Sequence, residues 1–134
     1  MKRKILVIDD SKAIRYLLET VLGKSYHVTT AADGSSGMYH LTKRNLPDLI
    51  IADPQLPDMQ DWELIEYLAS SCIYGHIPLA VLSSFNKSET SIKASELGIK
   101  NYFLKPSNPL DLKKSVHSLF ANAISSTESL MKFA

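Results

Sequence analysis

The feature that most constrains the fold of this 134-residue chain is a set of short, uninterrupted apolar runs. These runs occupy residues 5–8, 49–52, 79–82 and 102–104. Continuous apolar runs are typical of strands that are buried on both faces of a parallel sheet. A fifth segment, residues 26–31, is more polar and suits an edge strand. The chain is therefore predicted to build one sheet, and its length is that of a single domain.

Helical patterns lie between the predicted strands. The expected caps and stops are Ser11, Gly23, Asn86 with Glu89, Gly98, and Asn108 with Pro109. The residues expected to face inward are Ile14, Leu17, Leu18, Val21, Leu22, Ala32, Met38, Leu41, Leu64, Ile65, Leu68, Ala69, Leu112, Val116, Leu119, Phe120 and Ala123. Because strand and helix alternate five times, the sequence predicts an α/β doubly wound sheet. Its five parallel strands should follow the order 2-1-3-4-5, with helices on both faces. Residues 1–124 are predicted to form the domain, and residues 125–134 a tail that extends the last helix or frays.

Composition excludes several classes of protein. Fifteen basic residues against fourteen acidic ones leave a net charge of +1, without the basic excess of a general nucleic-acid binder. Cys72 is the only cysteine, which excludes a disulfide scaffold, and it is predicted to be a buried small apolar residue. Residues 67–86 lack charged side chains but contain too many polar ones for a membrane span. A cytoplasmic protein is expected.

Reactive side chains follow four of the predicted strands. Asp9 and Asp10 come after the first, Asp53 after the third, Ser83 after the fourth and Lys105 after the fifth. Each is weak evidence alone, but a parallel sheet brings them to one edge, where open α/β sheets bind ligands. Three clustered carboxylates need a cation, and an all-oxygen ligand set favours Mg²⁺. A lysine and a hydroxyl can then hold a phosphoryl group, with one carboxylate as its acceptor.

Five motifs resemble the receiver domain of response regulators in two-component signalling, of the single-domain chemotaxis type. They are residues 5–11 (ILVIDDS), residues 47–53 (PDLIIAD), Pro57, residues 77–84 (IPLAVLSS) and residues 102–106 (YFLKP). The resemblance runs from about residue 4 to residue 120. It implies a flavodoxin-like (βα)5 fold, which agrees with the pattern of strands and helices.

The resemblance also implies a set of site residues. Asp53 would be the phosphoacceptor. Asp10, Asp53 and the backbone carbonyl of Gln55 would be direct ligands of Mg²⁺, and Asp9 would act through a water molecule.

The resemblance assigns the remaining roles on strands four and five. Ser83 and Lys105 would bind the phosphoryl group, and Ser83 with Tyr102 would form the conformational switch. The Lys105–Pro106 peptide bond would be cis.

The implied partner is a sensor histidine kinase or a histidine phosphotransfer protein that donates the phosphoryl group. Output would pass to a protein target through the face formed by helix 4, strand 5 and helix 5. Neither direct nucleic-acid contact nor membrane insertion is implied, and a homodimer is compatible. Because only a short tail follows the last helix, we expect a stand-alone receiver. It would catalyse its own phosphorylation and hydrolysis without acting on a separate metabolite.

The sequence departs from the family pattern near the acceptor. Pro54 follows Asp53 directly, and Asp61 stands where glycine is usual, so positive φ is expected at Asp61 if that turn needs it. Phe85 is expected to line the mouth of the site. A degenerate receiver that only binds partners is the alternative interpretation. A haloacid-dehalogenase-like phosphatase needs a second Asp two residues after its nucleophile, where this chain has Ser11 after Asp9.

Overall fold

The computed structural model describes residues 2–43 and 45–133, with side chains described through residue 122. Five strands form one sheet in the order β2-β1-β3-β4-β5, and every adjacent pair is parallel. The strands are β1 (Lys4–Ile8), β2 (His27–Ala31), β3 (Leu49–Ala52), β4 (Leu79–Ser83) and β5 (Asn101–Leu104). The predicted strand order and the edge position of β2 are confirmed.

Five helices alternate with the strands: α1 (Lys12–Leu22), α2 (Gly34–Leu41), α3 (Glu63–Ser70), α4 (Lys87–Glu96) and α5 (Pro109–Phe133). The predicted caps are present. Ser11 accepts a hydrogen bond from the Ile14 N–H at 3.3 Å, and Asn86 accepts one from the Glu89 N–H at 2.8 Å. Gly98 ends the α4 turn at φ 73°, a left-handed conformation that glycine adopts without strain.

Alternating side chains of the strands feed two separate cores. Ile5 and Val7 of β1 pack on one face of the sheet, with residues from α1 and α5. Leu6 and Ile8 pack on the other face, with residues from α2 and α3. The period of two along each strand therefore places helices on both faces, as the apolar runs predicted.

Three expectations about single side chains are wrong. Leu17 is 37% exposed because α1 turns Leu18 and Leu22 into the core and leaves Leu17 at the border of its apolar face. Ala32 is exposed and precedes α2, which begins at Gly34. Cys72 is exposed because α3 ends at Ser70, so the apolar face of that helix does not extend to residue 72.

The backbone of α5 continues through residues 125–133 as helix, which is one of the two conformations predicted for the tail. The inward position predicted for Ala123 lies outside the described side chains. A domain limit at residue 124 stays a prediction. Across residues 2–43 and 45–133, no helix combines the length and the apolar character needed to cross a bilayer.

Candidate functional site

The carboxyl edge of the sheet brings together two buried carboxylates and one lysine from three different strands. Asp9 follows β1, Asp53 follows β3 and Lys105 follows β5. The Lys105 Nζ lies 2.7 Å from Asp9 Oδ2 and 2.7 Å from Asp53 Oδ2. Only 1% of Asp9 and 3% of Asp53 are exposed to solvent. The predicted convergence of these three side chains is therefore present, and their charges are shielded from water.

A third carboxylate completes an acidic cluster. Single oxygens of Asp9, Asp10 and Asp53 all lie within 4.8 Å of one another, and Asp10 is exposed while the other two are buried. Asp9 Oδ2 is fully buried and has the Lys105 ammonium beside it, but it accepts no well-directed hydrogen bond. Hard oxygen donors with a free lone pair fit Mg²⁺, because that ion prefers carboxylates and keeps several waters. The residues present therefore suit the metal that the sequence predicted.

Burial and charge act against each other on the groups of this cluster. Burial raises the pKa of Asp53, helped by the Asp9 charge, and outweighs the lowering effect of the Lys105 and Gln55 hydrogen bonds. Burial lowers the pKa of Lys105, but its hydrogen bond to Asp53 and its close charge contacts with Asp53 and Asp9 prevail and raise it. Lys105 thus stays an ammonium. Three carboxylates and one ammonium carry a formal charge of −2, which attracts a divalent cation.

The two oxygens of Asp53 have different partners. Its Oδ1 accepts a hydrogen bond from the backbone N–H of Gln55 at 2.8 Å, and its Oδ2 accepts one from Lys105 Nζ at 2.7 Å. The Gln55 residue itself is exposed on the loop after β3. The loop backbone therefore orients the carboxylate before any ligand arrives.

Ser83 ends β4 beside the cluster, but its hydroxyl is engaged elsewhere. Its Oγ accepts hydrogen bonds from the Phe85 N–H and from Thr90 Oγ1, both at 2.9 Å. Its backbone carbonyl accepts the Lys105 N–H at 2.7 Å, which fixes the ends of β4 and β5 together. Sequence reasoning missed Thr90. Thr90 and Ala94, one turn apart, are the two buried residues of α4, and this burial is visible only in the structure.

The resemblance also named Tyr102 and the Lys105–Pro106 peptide bond. Tyr102 is half-buried in β5, opposite Val81 of β4, and packs against the core. The Lys105–Pro106 peptide bond is cis, as the resemblance implied.

The left-handed residue of this turn is Trp62, at φ 68°, and not Asp61, which stands where the family has glycine. The backbone N–H of Trp62 donates to the Pro54 carbonyl at 2.7 Å, which folds the loop back onto the residue after Asp53. The indole ring is 8% exposed and stacks on Phe85, with ring centroids 6.2 Å apart and planes 13° apart. The left-handed backbone conformation costs a bulky residue about 1–2 kcal/mol, and the burial and stacking of the indole offset this cost.

Asp58 ties the loop of the acceptor to the start of α2. Its carboxylate accepts hydrogen bonds from the Gly34 N–H at 2.8 Å, the Ser35 N–H at 2.9 Å and the Ser35 hydroxyl at 2.8 Å. These bonds lower the pKa of Asp58, with the Gly34 bond contributing most. The Asp58 carboxylate therefore caps the N-terminus of α2, although it belongs to the loop after β3.

We expect Asp58→Asn to lower the free energy of unfolding by about 1 kcal/mol at pH 7. The pKa of Asp58 is lower in the folded state than the ordinary 3.8, so its stabilisation is present above that value. It is lost as the pH falls through the folded pKa, and the difference between variant and wild type should shrink there. Urea unfolding across that range measures both effects. Asp61→Asn, on the exposed part of the same loop, is the matched control, and an equal loss in both variants would contradict the capping role.

Comparison with known proteins agrees with the fold. The sequence profile of the response regulator receiver domain matches residues 5–117, so the chain belongs to the response regulator receiver family. It is 28% identical to the solved structure of the chemotaxis response regulator CheY4 of Vibrio cholerae. That match has a TM-score of 0.78 and covers 88% of this chain and 98% of that one. The domain is thus a receiver of two-component signalling rather than a classical enzyme.

The curated relatives are longer proteins. A probable transcriptional regulator, ycf27 of Porphyridium aerugineum, is 33% identical over 119 residues, which are 88% of this chain and 48% of the relative. Histidine kinase P4 of Formosa agariphila is 28% identical over 121 residues, 90% of this chain and 9% of the kinase. The chain therefore spans about half the length of the first relative and a small part of the second.

Proposed function

We propose that this receiver accepts a phosphoryl group on Asp53 from a phosphohistidine. The observation that carries the proposal is the buried contact of Lys105 with both Asp9 and Asp53, beside a third carboxylate within 4.8 Å. Asp10, Asp53 and the Gln55 carbonyl would hold Mg²⁺ directly, with Asp9 acting through water. When bound, the ion supplies positive charge that offsets the negative charge of the phosphoryl oxygens.

The transfer would use side chains of the site together with the bound ion. An oxygen of Asp53 forms the new O–P bond while the P–N bond of the phosphohistidine breaks, and the electron pair of that bond stays on the imidazole. The Lys105 ammonium, held by Asp9, can donate to one phosphoryl oxygen once Asp53 is phosphorylated. The Ser83 hydroxyl can donate its proton to a second phosphoryl oxygen. The domain would also hydrolyse its own acyl phosphate.

The proposed phosphoryl donor is a sensor histidine kinase or a histidine phosphotransfer protein. Output would go to a protein target through the face of α4, β5 and α5. Ile92 of α4 is 57% exposed. The half-buried Tyr102 of β5 would move when the Ser83 hydroxyl turns toward the phosphoryl group. Location in the cytoplasm and a homodimer stay predictions.

Intact mass measurement tests the proposal most directly. Wild-type protein incubated with acetyl phosphate and Mg²⁺ should gain the mass of one phosphoryl group, and the adduct should disappear with time after the reagent is removed. Protein that gains no mass under these conditions would support the alternative of a degenerate receiver that binds partners without phosphorylation.

We expect Asp10→Asn to weaken Mg²⁺ binding at least tenfold, because Asp10 is one of the three clustered carboxylates and would be a direct ligand of the ion. Calorimetry with MgCl₂ at millimolar concentrations measures the affinity of wild type and variant. Asp33→Asn is the control and should bind Mg²⁺ like wild type, because Asp33 caps α2 and is not one of the three clustered carboxylates. Equal affinity in Asp10→Asn and wild type would remove Asp10 from the proposed ligand set.

A further inference from the structure

Thr90 is a buried polar residue that the proposed chemistry does not use. It lies in the middle of α4 and has no exposed surface. Its hydroxyl donates to Ser83 Oγ at 2.9 Å, and the next polar atom in reach is the Phe85 carbonyl oxygen at 3.5 Å. A hydroxyl in such a place is costly unless it is hydrogen-bonded, so the Ser83 contact is the interaction that satisfies it.

The Ser83 oxygen is held by two donors, neither of which belongs to the acidic cluster. Thr90 and the Phe85 N–H occupy both of its lone pairs at 2.9 Å. In the part of the chain that the structure describes, the Ser83 hydroxyl makes no hydrogen bond to Asp53 or Lys105. The hydroxyl proposed to bind the phosphoryl group therefore rests against α4 and its loop.

The loop that carries Phe85 is also restrained from the other side. The Phe85 ring stacks on the Trp62 indole, and the backbone N–H of Trp62 is bonded to the Pro54 carbonyl. The stack thus connects the loop after Asp53 with the loop after Ser83. Phe85 is therefore a fixed partner for Ser83 and not a freely moving one.

We propose that Thr90 is a positioning residue that holds the Ser83 hydroxyl in its resting orientation and opposes its turn toward a phosphoryl group on Asp53. The inference rests on the proposed function. When Ser83 turns, the buried Thr90 hydroxyl loses its 2.9 Å partner and keeps only the carbonyl at 3.5 Å. Leaving a buried donor poorly paired is unfavourable, so the turn of Ser83 is linked to a shift of α4.

Thr90→Val tests the proposal because it removes the hydroxyl and keeps the shape of the side chain. We expect the variant to bind Mg²⁺–beryllofluoride, which stands in for the phosphoryl group, about three- to tenfold more tightly than wild type. Thr90→Ser retains the hydroxyl and should restore the wild-type affinity. Ser91→Ala is the matched control, because the Ser91 hydroxyl donates to the Ser88 carbonyl within α4 and, among the residues that the structure describes, makes no bond to Ser83.

A second readout is taken on the variant in the absence of metal and beryllofluoride, with the wild-type complex as the reference. Amide resonances of residues 83–90 in free Thr90→Val should move from the free wild-type positions toward those of the wild-type complex. If Thr90→Val does not fold, Thr90→Ala takes its place with the same expected sign.

Unchanged or weaker beryllofluoride binding in the folded variant, or failure of Thr90→Ser to restore the wild-type value, would overturn the positioning role alone. Wild-type protein that binds no Mg²⁺–beryllofluoride would instead overturn the proposed function, and the role of Thr90 with it.

Discussion

Asp53→Asn should gain no phosphoryl group from acetyl phosphate and Mg²⁺, whereas wild type gains one. The amide keeps the shape of the carboxylate but lacks the nucleophilic oxygen that forms the O–P bond. Asp53 is the acceptor in the proposed function, and its two oxygens are bonded to the Gln55 N–H and to the Lys105 ammonium. Intact mass measurement of the two proteins under identical conditions gives the result directly.

Two further variants separate the acceptor from its neighbours. Asp58→Asn, on the same loop but bonded to the start of α2, should still gain one phosphoryl group. Asp9→Asn should gain it slowly, since Asp9 holds Lys105 and completes the acidic cluster. A phosphoryl group found on Asp53→Asn would place the acceptor on another residue and contradict the proposed function.

Lys105→Met should lower the free energy of unfolding by about 3 kcal/mol in buffer that contains EDTA. The methionine has a similar length but no charge, so Asp9 and Asp53 would face each other while both are buried. Removing one partner of a buried ion pair leaves the remaining charge uncompensated, which costs more than the pair itself contributes. Urea unfolding of the variant and wild type measures the loss.

The double variant Lys105→Met with Asp9→Asn is the control for this interpretation. It removes one carboxylate together with the ammonium, so most of the lost stability should return. Mg²⁺ added to the single variant should also restore stability, because the ion would replace the missing positive charge. A single variant as stable as wild type in EDTA would contradict the claim that the carboxylates depend on Lys105.

The sequence alone determined the sheet and the main residues of the site. Four continuous apolar runs require strands that are covered on both faces, and their alternation with helices leaves few other arrangements. Parallel strands end at one edge, so Asp9, Asp53 and Lys105 had to converge wherever the strands paired as predicted. Each of these residues directly follows an apolar run, and the sequence shows where each run ends.

Only the tertiary structure decided how the loops around that edge contact one another. The capping of α2 by Asp58, the stacking of Trp62 on Phe85 and the bond from Thr90 to Ser83 each join different segments. The positive φ of this turn lies at Trp62, whose backbone N–H is bonded to the Pro54 carbonyl, and no local pattern predicts that contact. Loops lack the periodicity that makes strands and helices readable, so their geometry is set by long-range contacts that form only when the sheet has assembled.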